Sequence, residues 1–166
     1  MNTRRKFLAG LVATASIGTL AIAMRKNNVA MAEEFEITKT KEEWLKQLGP
    51  ERYAVLREED TERPFTSPLN DEHRKGTFNC AGCDLPLYSS EAKFDSGTGW
   101  PSFYEPLENA VETSTDFKLI YPRTEVHCRR CGGHLGHVFD DGPKPTGLRY
   151  CMNGLAMTFE PAEQAS

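Results

Sequence analysis

The sequence contains no internal repeat and no low-complexity tract, which excludes a solenoid and a largely disordered chain. Its 166 residues suit one domain with a short extra segment at one end. The 13 glycines and 10 prolines fall mostly in the second half of the sequence. We therefore expect strands and turns to dominate there.

Basic residues are scarce once the first 32 residues are set aside. That segment holds five of the 20 basic residues and none of the 24 acidic ones, so 15 basic and 24 acidic residues remain, with a formal charge of −9. A protein that binds nucleic acid would carry a basic stripe or patch instead. The composition therefore argues against nucleic acid as a partner.

A long hydrophobic run is also missing. The apolar stretch at residues 8–24 has 17 residues and is rich in Gly, Ala, Ser and Thr, whereas a transmembrane helix needs about 20. The run Thr3-Arg4-Arg5-Lys6-Phe7-Leu8 precedes it and Ala30-Met31-Ala32 follows it. Basic, apolar and small-residue regions in this order are typical of an export signal, and the paired arginines favour the twin-arginine (Tat) route.

We therefore predict that residues 1–32 are a cleaved Tat signal and that residues 33–166 are the folded, periplasmic domain. An uncleaved N-terminal membrane anchor is the minor alternative. No stable membrane partner is expected once the signal is removed.

The pattern of the domain changes from helical to β at about residue 76. Thr40 and Glu43 form a capping-box pattern, and Gly49-Pro50 ends one short helix and opens another. Residues 61–75 show no periodicity. Short apolar or alternating runs then predict strands at Thr77–Cys80, Leu85–Tyr88, Ala110–Thr115, Phe117–Tyr121, Glu125–Cys128, His134–Phe139, Leu148–Met152 and Leu155–Glu160. Connections this short leave no room for crossover helices, so we predict a mainly β domain with antiparallel strands.

Cysteine is scarce, and four of the five cysteines form two C-x-x-C pairs, Cys80 with Cys83 and Cys128 with Cys131. Two such pairs can place four thiolates around one Zn²⁺, and because four sulfurs fill the coordination sphere the metal would be structural. Two disulfides or one redox-active pair are the alternatives in an exported protein. A two-residue gap strains a disulfide, and such short loops stabilise little. We favour zinc, although iron could occupy the same four sulfurs.

The fifth cysteine, Cys151, has no partner nearby in sequence. Arg149 precedes it by two residues and Asn153 follows it by two. The thiolate is the reactive form of cysteine and a neighbouring cation favours it, so Cys151 is a candidate nucleophile. Packing in the core is the alternative.

Histidine is scarce as well, and two of the four histidines lie in His134-Leu135-Gly136-His137. Positions i and i+3 of a strand face opposite sides, but a bulge or bend at Gly136 would bring both rings together. Because the pKa of histidine lies near working pH, such a pair suits acid–base chemistry. One core and one surface histidine, or a pair of metal ligands, are the alternatives.

Tryptophan occurs twice, and Trp100 lies in the glycine-bracketed loop Ser96-Gly97-Thr98-Gly99-Trp100-Pro101-Ser102-Phe103. A rigid indole held by Pro101 could form the wall of a small apolar pocket. Phe103 is the second candidate for a substrate contact. Both rings could equally fill the core.

These residues belong to longer motifs that resemble the methionine-R-sulfoxide reductases, the B-type peptide methionine sulfoxide reductases. The motifs are F-N-C-A-G-C-D-L-P-L-Y, K-F-D-S-G-T-G-W-P-S-F-Y-E-P, H-C-R-R-C-G-G-H-L-G-H-V-F-D-D-G-P and G-L-R-Y-C-M-N-G. The resemblance covers about residues 40–161. It implies a β-tent of two antiparallel sheets with short N-terminal helices, and one structural zinc ion on the four paired cysteines.

For the site, the resemblance implies that Cys151 attacks the sulfoxide sulfur of an oxidised methionine. His134 and His137 would position and protonate the sulfoxide oxygen, and Asn153 would belong to the same hydrogen-bond network. A sulfoxide is a weak electrophile until its oxygen receives a proton, so thiolate attack needs an acid on that side. Attack would release methionine and leave a cysteine sulfenic acid.

The resemblance further implies that Arg149 favours the thiolate and that Trp100 packs against the substrate methyl group. Many members of the family carry a resolving cysteine between the glycines of S-G-x-G-W, where this sequence has Thr98. We therefore predict a one-cysteine cycle, in which a thioredoxin-like protein or a small thiol resets Cys151. Oxidised proteins are the expected substrates, the R epimer is the expected form, and the enzyme is expected to be a monomer.

Two other functions belong to different classes. One is a non-catalytic zinc-binding interaction module, because such proteins have a fold similar to the β-tent. The other is a disulfide oxidoreductase, which would use one of the C-x-x-C pairs. The joint presence of Cys151, Arg149, Asn153 and both histidines favours the reductase.

Overall fold

The computed structural model describes residues 35–119 and 121–163. The export signal predicted at residues 1–32 lies outside these residues. Within them, no helix has the length and apolar character needed to cross a membrane.

A kinked helix, α1 (Lys41–Glu58), precedes the sheets. The backbone N–H of Thr40 donates to Glu43 Oε2 at 2.8 Å, and the backbone N–H of Glu43 donates to Thr40 Oγ1 at 3.2 Å. This confirms the predicted capping box. Gly49 has φ 71° and ψ 170°, so two helical halves meet there in one continuous element, at the break that Gly49-Pro50 predicted.

Nine strands follow within the described residues. They are β1 (Gly76–Cys80), β2 (Pro86–Ser89), β3 (Lys93–Phe94), β4 (Ser102–Phe103), β5 (Val111–Asp116), β6 (Arg123–Cys128), β7 (His134–Phe139), β8 (Arg149–Met152) and β9 (Met157–Pro161). One sheet has the order β2-β1-β9 and the other β3-β4-β8-β7-β6-β5. Every pairing is antiparallel. The predicted mainly β class with two antiparallel sheets is confirmed.

Aromatic side chains from both sheets meet in the core. Phe103 of the larger sheet stacks on Tyr88 of the smaller one, with ring centroids 4.3 Å apart, and its centroid lies 4.9 Å from that of Phe78. All three side chains are fully buried, and burying each contributes about 1.5–3 kcal/mol. This packing fixes β4, and with it the neighbouring β8, against the smaller sheet.

One predicted strand is wrong. The described residues between β5 and β6 belong to no strand, and Phe117, Leu119 and Tyr121 are 75%, 46% and 61% exposed. The run at residues 117–121 is apolar apart from Lys118, which is a composition typical of a strand, but no part of the described core covers these three side chains. The short strands β3 and β4 were not predicted, because two residues are too few to show a period.

Candidate active site

Four cysteines form a cluster that could hold a metal ion. Their sulfurs all lie within 4.8 Å of one another, with 3.7 Å between Cys80 and Cys131 and 3.5 Å between Cys83 and Cys128. All four cysteines are free in this structure, which contradicts the alternative of two disulfides. Tetrahedral Zn²⁺ with four sulfurs at about 2.3 Å separates neighbouring sulfurs by about 3.8 Å. The cluster fits such an ion.

The cluster joins the two sheets, because Cys80 ends β1 of the smaller sheet and Cys128 ends β6 of the larger one. Each pair lies in a tight turn. The backbone N–H of Asp84 donates to the carbonyl of Cys80 at 2.8 Å, and that of Gly132 donates to the carbonyl of Cys128 at 2.8 Å. A metal ion here would therefore tie the end of β1 in one sheet to the end of β6 in the other.

Cys151 lies in the middle of the larger sheet, on β8. Its register partners are Ser102 on β4 and His137 on β7. The half-buried thiol opens onto a cavity of about 120 Å³ lined by Thr61, Trp100, Arg123, Gly136, His137, Phe139, Cys151 and Asn153. We call this cavity the Cys151 cavity.

A chain of hydroxyl groups leads from the thiol into the sheet. Thr98 Oγ1 lies 3.7 Å from Cys151 Sγ and 2.8 Å from Ser96 Oγ. Ser96 Oγ lies 2.7 Å from Ser102 Oγ, which is 3.1 Å from the carbonyl oxygen of Trp100. Because each hydroxyl carries one hydrogen and accepts through oxygen, the chain can donate in either direction.

The two histidines come together because β7 is irregular. The pairing of β6 with β7 shifts register between Gly136 and His134, and the two ring centroids lie 5.4 Å apart. The bend predicted at Gly136 is therefore confirmed. A Cβ atom at Gly136 would lie 2.1 Å from the carbonyl oxygen of Cys151, so this close approach of β7 to β8 requires glycine.

Each imidazole is held by a carboxylate from the neighbouring hairpin. His134 Nδ1 lies 2.7 Å from Glu125 Oε1, and His137 Nε2 lies 2.8 Å from Asp116 Oδ2. The hydrogen bond from His134 lowers the pKa of Glu125 to about 2. The pKa of Asp116 lies well below its ordinary value, first because of the backbone N–H of Lys118 and then because of His137.

The two histidines differ in access to the Cys151 cavity. His137 lines it, whereas His134 is almost fully buried and does not belong to the lining. Burial lowers the pKa of His137, and the hydrogen bond to Asp116 raises it in part. His137 is therefore the imidazole positioned to exchange a proton with a molecule in the cavity.

Arg149 lies two residues before the thiol on β8 and is clamped in place. Its Nε and Nη2 atoms each donate to Asp141 at 2.8 Å, and its guanidinium lies 4.4 Å from the centre of the Phe139 ring. The hydrogen bonds to Asp141 raise the pKa of Arg149, and the proximity of Cys151 adds to that effect. The guanidinium therefore lies near the Cys151 sulfur.

Asn153 lines the cavity, but its amide is occupied by backbone groups. The backbone N–H of Glu62 donates to Asn153 Oδ1 at 3.0 Å, and Asn153 Nδ2 donates to the carbonyl of Leu135 at 3.1 Å. The side chain thereby joins the segment after α1 to β7. In this arrangement Asn153 positions the walls of the cavity.

Trp100 and Phe103, the two candidate substrate contacts, lie in different places. Trp100 lines the cavity, and its indole N–H donates to the carbonyl of Glu62 at 3.1 Å. Phe103 is 0% exposed and stacks on Tyr88 in the core. The structure thus places Phe103 in the core and outside the cavity lining, so it is not positioned to contact a substrate there.

The SelR domain matches residues 48–161 of the sequence, a region that contains the four clustered cysteines, both histidines and Cys151. The chain belongs to the SelR family. The relatives of this SelR-domain protein include the peptide methionine sulfoxide reductase MsrB of Agrobacterium fabrum, which is 54% identical over 127 residues, 76% of this chain and 94% of the relative.

Two further relatives extend the comparison. The peptide methionine sulfoxide reductase MsrB of Pseudomonas putida is 55% identical over 133 residues, 78% of this chain and 98% of its own length. The chloroplastic peptide methionine sulfoxide reductase B1 of Arabidopsis thaliana is 47% identical over 151 residues, 90% of this chain and 75% of its own length.

Several residues of the SelR-domain site were not predicted from the sequence. Among them are Asp116 and Glu125, which hold the histidines, and Arg123, which lines the cavity and bonds to Asp116. Charged residues in a β-hairpin are normally predicted to face solvent. Their partners follow only from the register of β5, β6 and β7.

Proposed function

We propose that this SelR-domain protein reduces methionine sulfoxide in proteins to methionine, with Cys151 as the nucleophile. The observation that carries the proposal is the half-buried Cys151 thiol, which shares a cavity of about 120 Å³ with an indole and an imidazole. The printed function of the relatives supports the substrate class. Trp100 supplies an apolar wall for the methyl group, and His137 lies on the side that receives the oxygen.

One thiol is enough to take up the oxygen atom and supply the two electrons of the reduction. The Cys151 thiolate attacks the sulfoxide sulfur while His137 delivers a proton to the oxygen, and the oxygen then passes to the cysteine sulfur. Methionine leaves reduced by two electrons, and Cys151 becomes a sulfenic acid, oxidised by two electrons. Arg149, held by Asp141, stabilises the thiolate before attack.

The R epimer is the proposed substrate form, because the sulfoxide sulfur is chiral and the cavity is not symmetric. With the methyl group against Trp100 and the oxygen towards His137, one arrangement of substituents presents the sulfur to Cys151. Assays with the two separated epimers test this. Reduction of the S epimer alone would contradict the proposal.

A one-cysteine cycle is the proposed route of turnover. The other four of the five cysteines belong to the metal cluster, and the group that faces Cys151 at 3.7 Å is the hydroxyl of Thr98. The sulfenic acid is then reduced by an external thiol, from a thioredoxin-like protein or a small molecule.

Zinc is the proposed metal of the four-cysteine cluster, and its role is structural. Four thiolates supply a closed tetrahedral site, so the ion has no open position for substrate. The residues that would hold it are Cys80, Cys83, Cys128 and Cys131. A bound ion would tie β1 to the turn between β6 and β7.

Replacement of Cys151 by serine tests the proposed function. We expect Cys151→Ser to abolish reduction of a methionine-R-sulfoxide peptide while the protein keeps its metal content and its thermal unfolding midpoint. Full activity in this variant would overturn the proposal. A non-catalytic zinc-binding module predicts no reduction by the wild-type protein at all.

Residues 1–32 are proposed to direct export by the twin-arginine route to the periplasm, on the strength of their sequence pattern alone. Replacing Arg4 and Arg5 by lysine should retain the protein in the cytoplasm, and N-terminal sequencing of the periplasmic form should begin after Ala32. Recovery of an uncut chain in the membrane fraction would favour the anchor instead.

A further inference from the structure

Exposed apolar side chains are concentrated beside the Cys151 cavity. Five large hydrophobic residues of the described chain are exposed, and four of them lie on two segments that adjoin the cavity: Phe65, Phe117, Leu119 and Tyr121. Only Leu45, on α1, lies elsewhere. Scattered exposed hydrophobics are ordinary, but a concentration around a cavity marks a binding surface.

The first segment is the loop between β5 and β6. Asp116, which ends β5, holds His137, and Arg123, which begins β6, lines the cavity, so both ends of the loop are at the site. Within the loop, Lys118 Nζ lies 2.7 Å from Glu59 Oε2. The loop is thus anchored by its polar groups, while Phe117 and Tyr121 stay exposed.

The second segment carries Phe65, which is 72% exposed. Its backbone N–H donates to the carbonyl of Gly99 at 2.7 Å, and a Cβ atom at Gly99 would lie 2.9 Å from the Phe65 ring. Gly99 directly precedes Trp100, whose indole lines the cavity. Phe65 is therefore fixed beside the Trp100 side of the cavity.

We infer that Phe65, Phe117, Leu119 and Tyr121 form an apolar rim that binds the residues flanking an oxidised methionine in an extended polypeptide. The inference rests on the proposed function, in which the Cys151 cavity takes the sulfoxide side chain. A cavity of about 120 Å³ has room for one side chain, so the main chain of the substrate must run across its mouth. There its neighbouring side chains meet the rim.

The rim favours unfolded segments with apolar neighbours on either side of the methionine sulfoxide. In a folded protein such neighbours are buried and cannot reach the rim. The apolar composition of this segment has the same explanation: Phe117, Leu119 and Tyr121 are apolar because a substrate covers them, in place of the core.

A comparison of two peptides tests the rim. One carries methionine sulfoxide between Leu and Phe residues and the other between Gly and Ser residues, and kcat/KM is measured for both. We expect the wild-type protein to prefer the apolar peptide. In the variant Phe117→Ser/Tyr121→Ser the ratio of the two kcat/KM values should fall about tenfold, mainly through KM, because apolar contacts are lost.

Leu45→Ser is the matched control, since it removes an exposed hydrophobic residue outside the rim and should leave the ratio unchanged. The inference would be overturned if kcat/KM of the rim variant fell by the same factor for both peptides, or if the ratio of the two kcat/KM values stayed at the wild-type value. Either outcome would leave the reductase function intact. A wild-type protein that reduces neither peptide would overturn the proposed function, and the rim with it.

Discussion

The hydroxyl of Thr98 faces the thiol of Cys151 at 3.7 Å, within range of a hydrogen bond to sulfur. When Cys151 is a thiol, Thr98 accepts a hydrogen bond from its S–H and the hydroxyl chain donates inward, through Ser96 and Ser102, to the carbonyl of Trp100. When Cys151 is a thiolate, Thr98 donates to sulfur and the other two hydroxyls reverse. The chain thereby supplies a donor to the charged form of the nucleophile.

Removal of this donor should slow the chemistry of Cys151. A hydrogen bond to a charged acceptor contributes about 1.5–3 kcal/mol, so Thr98→Val should lower the rate of Cys151 alkylation by iodoacetamide at pH 7 by about tenfold. Thr98→Ser keeps the hydroxyl and should react at nearly the wild-type rate. The rate is read from the mass of the peptide that contains Cys151. Equal rates for the valine and serine variants would refute the role of the hydroxyl.

Replacing Thr98 by cysteine should change how the oxidised Cys151 is returned to its thiol form. After one turnover without reductant, we expect the wild-type protein to carry a sulfenic acid that reacts with dimedone. In Thr98→Cys the new sulfur would occupy the place of the hydroxyl 3.7 Å from Cys151, from which a small movement gives a disulfide. Mass spectrometry should then find an internal bond and no dimedone adduct. An internal disulfide in the wild-type protein would contradict the one-cysteine cycle.

The pH dependence of kcat should change when Asp116, the carboxylate that holds His137, is replaced. Burial lowers the pKa of His137, while the hydrogen bond and charge of Asp116 raise it. Asp116→Asn removes the negative charge and leaves only a neutral hydrogen-bond acceptor, so the pKa of His137 falls further. Because in the proposed reaction the protonated imidazole supplies the proton to the sulfoxide, the alkaline limb of the kcat profile should move to lower pH.

Glu125→Gln is the control for this experiment. It removes the corresponding carboxylate from His134, which does not line the cavity. We expect a smaller shift of the alkaline limb than in Asp116→Asn. An equal or larger shift would assign the acid role to His134 instead.

The parts of the site that the sequence predicted depend on local spacing. The cluster of four cysteines follows from two C-x-x-C pairs, Cys151 follows from being the unpaired fifth cysteine, and the bend between the histidines follows from Gly136. Each of these features is visible within a few residues. The structure confirms the bend and the clustering of the four sulfurs.

The features that were not predicted depend on contacts between residues that are distant in the sequence. The apolar composition of residues 117–121 is the same whether their side chains face a core or a substrate, so it predicts a strand that the described residues do not form. Phe103 lies near Trp100 in sequence, but a strand alternates its side chains and turns Phe103 towards the core. Asp116 and Glu125 reach the histidines through strand register, which no local pattern reveals.

Loss of the metal should unfold the domain. A structural zinc site contributes about 10–16 kcal/mol at pH 7, comparable to the whole stability of a small domain, about 5–15 kcal/mol. Cys128→Ser removes a fully buried ligand and should abolish both metal binding and the cooperative thermal transition. Cys151→Ser, measured beside it by circular dichroism and metal analysis, should keep both. A folded, metal-free Cys128→Ser protein would show that the cluster does not stabilise the fold.

Gly136→Ala should damage the site through its geometry. The added Cβ would lie 2.1 Å from the carbonyl oxygen of Cys151 and 3.0 Å from the Cα of Met152, so β7 and β8 must move apart. Overpacking of this kind costs about 1–3 kcal/mol. Because the movement separates Cys151 from His137, and a misplacement of about 1 Å can cost a hundredfold in rate, kcat/KM should fall by about two orders of magnitude.

Gly49→Ala separates this effect from a general loss of stability. Gly49 has φ 71° and ψ 170°, a region open almost only to glycine, so alanine there is strained by about 1–3 kcal/mol, but nothing lies within 4 Å of the added Cβ. Its position in the kink of α1 is remote from Cys151 in the sequence and outside the cavity lining. The two variants should therefore have similarly lowered unfolding midpoints and very different activities. If Gly136→Ala retained the activity of Gly49→Ala, the close approach of β7 to β8 would not determine the placement of the nucleophile.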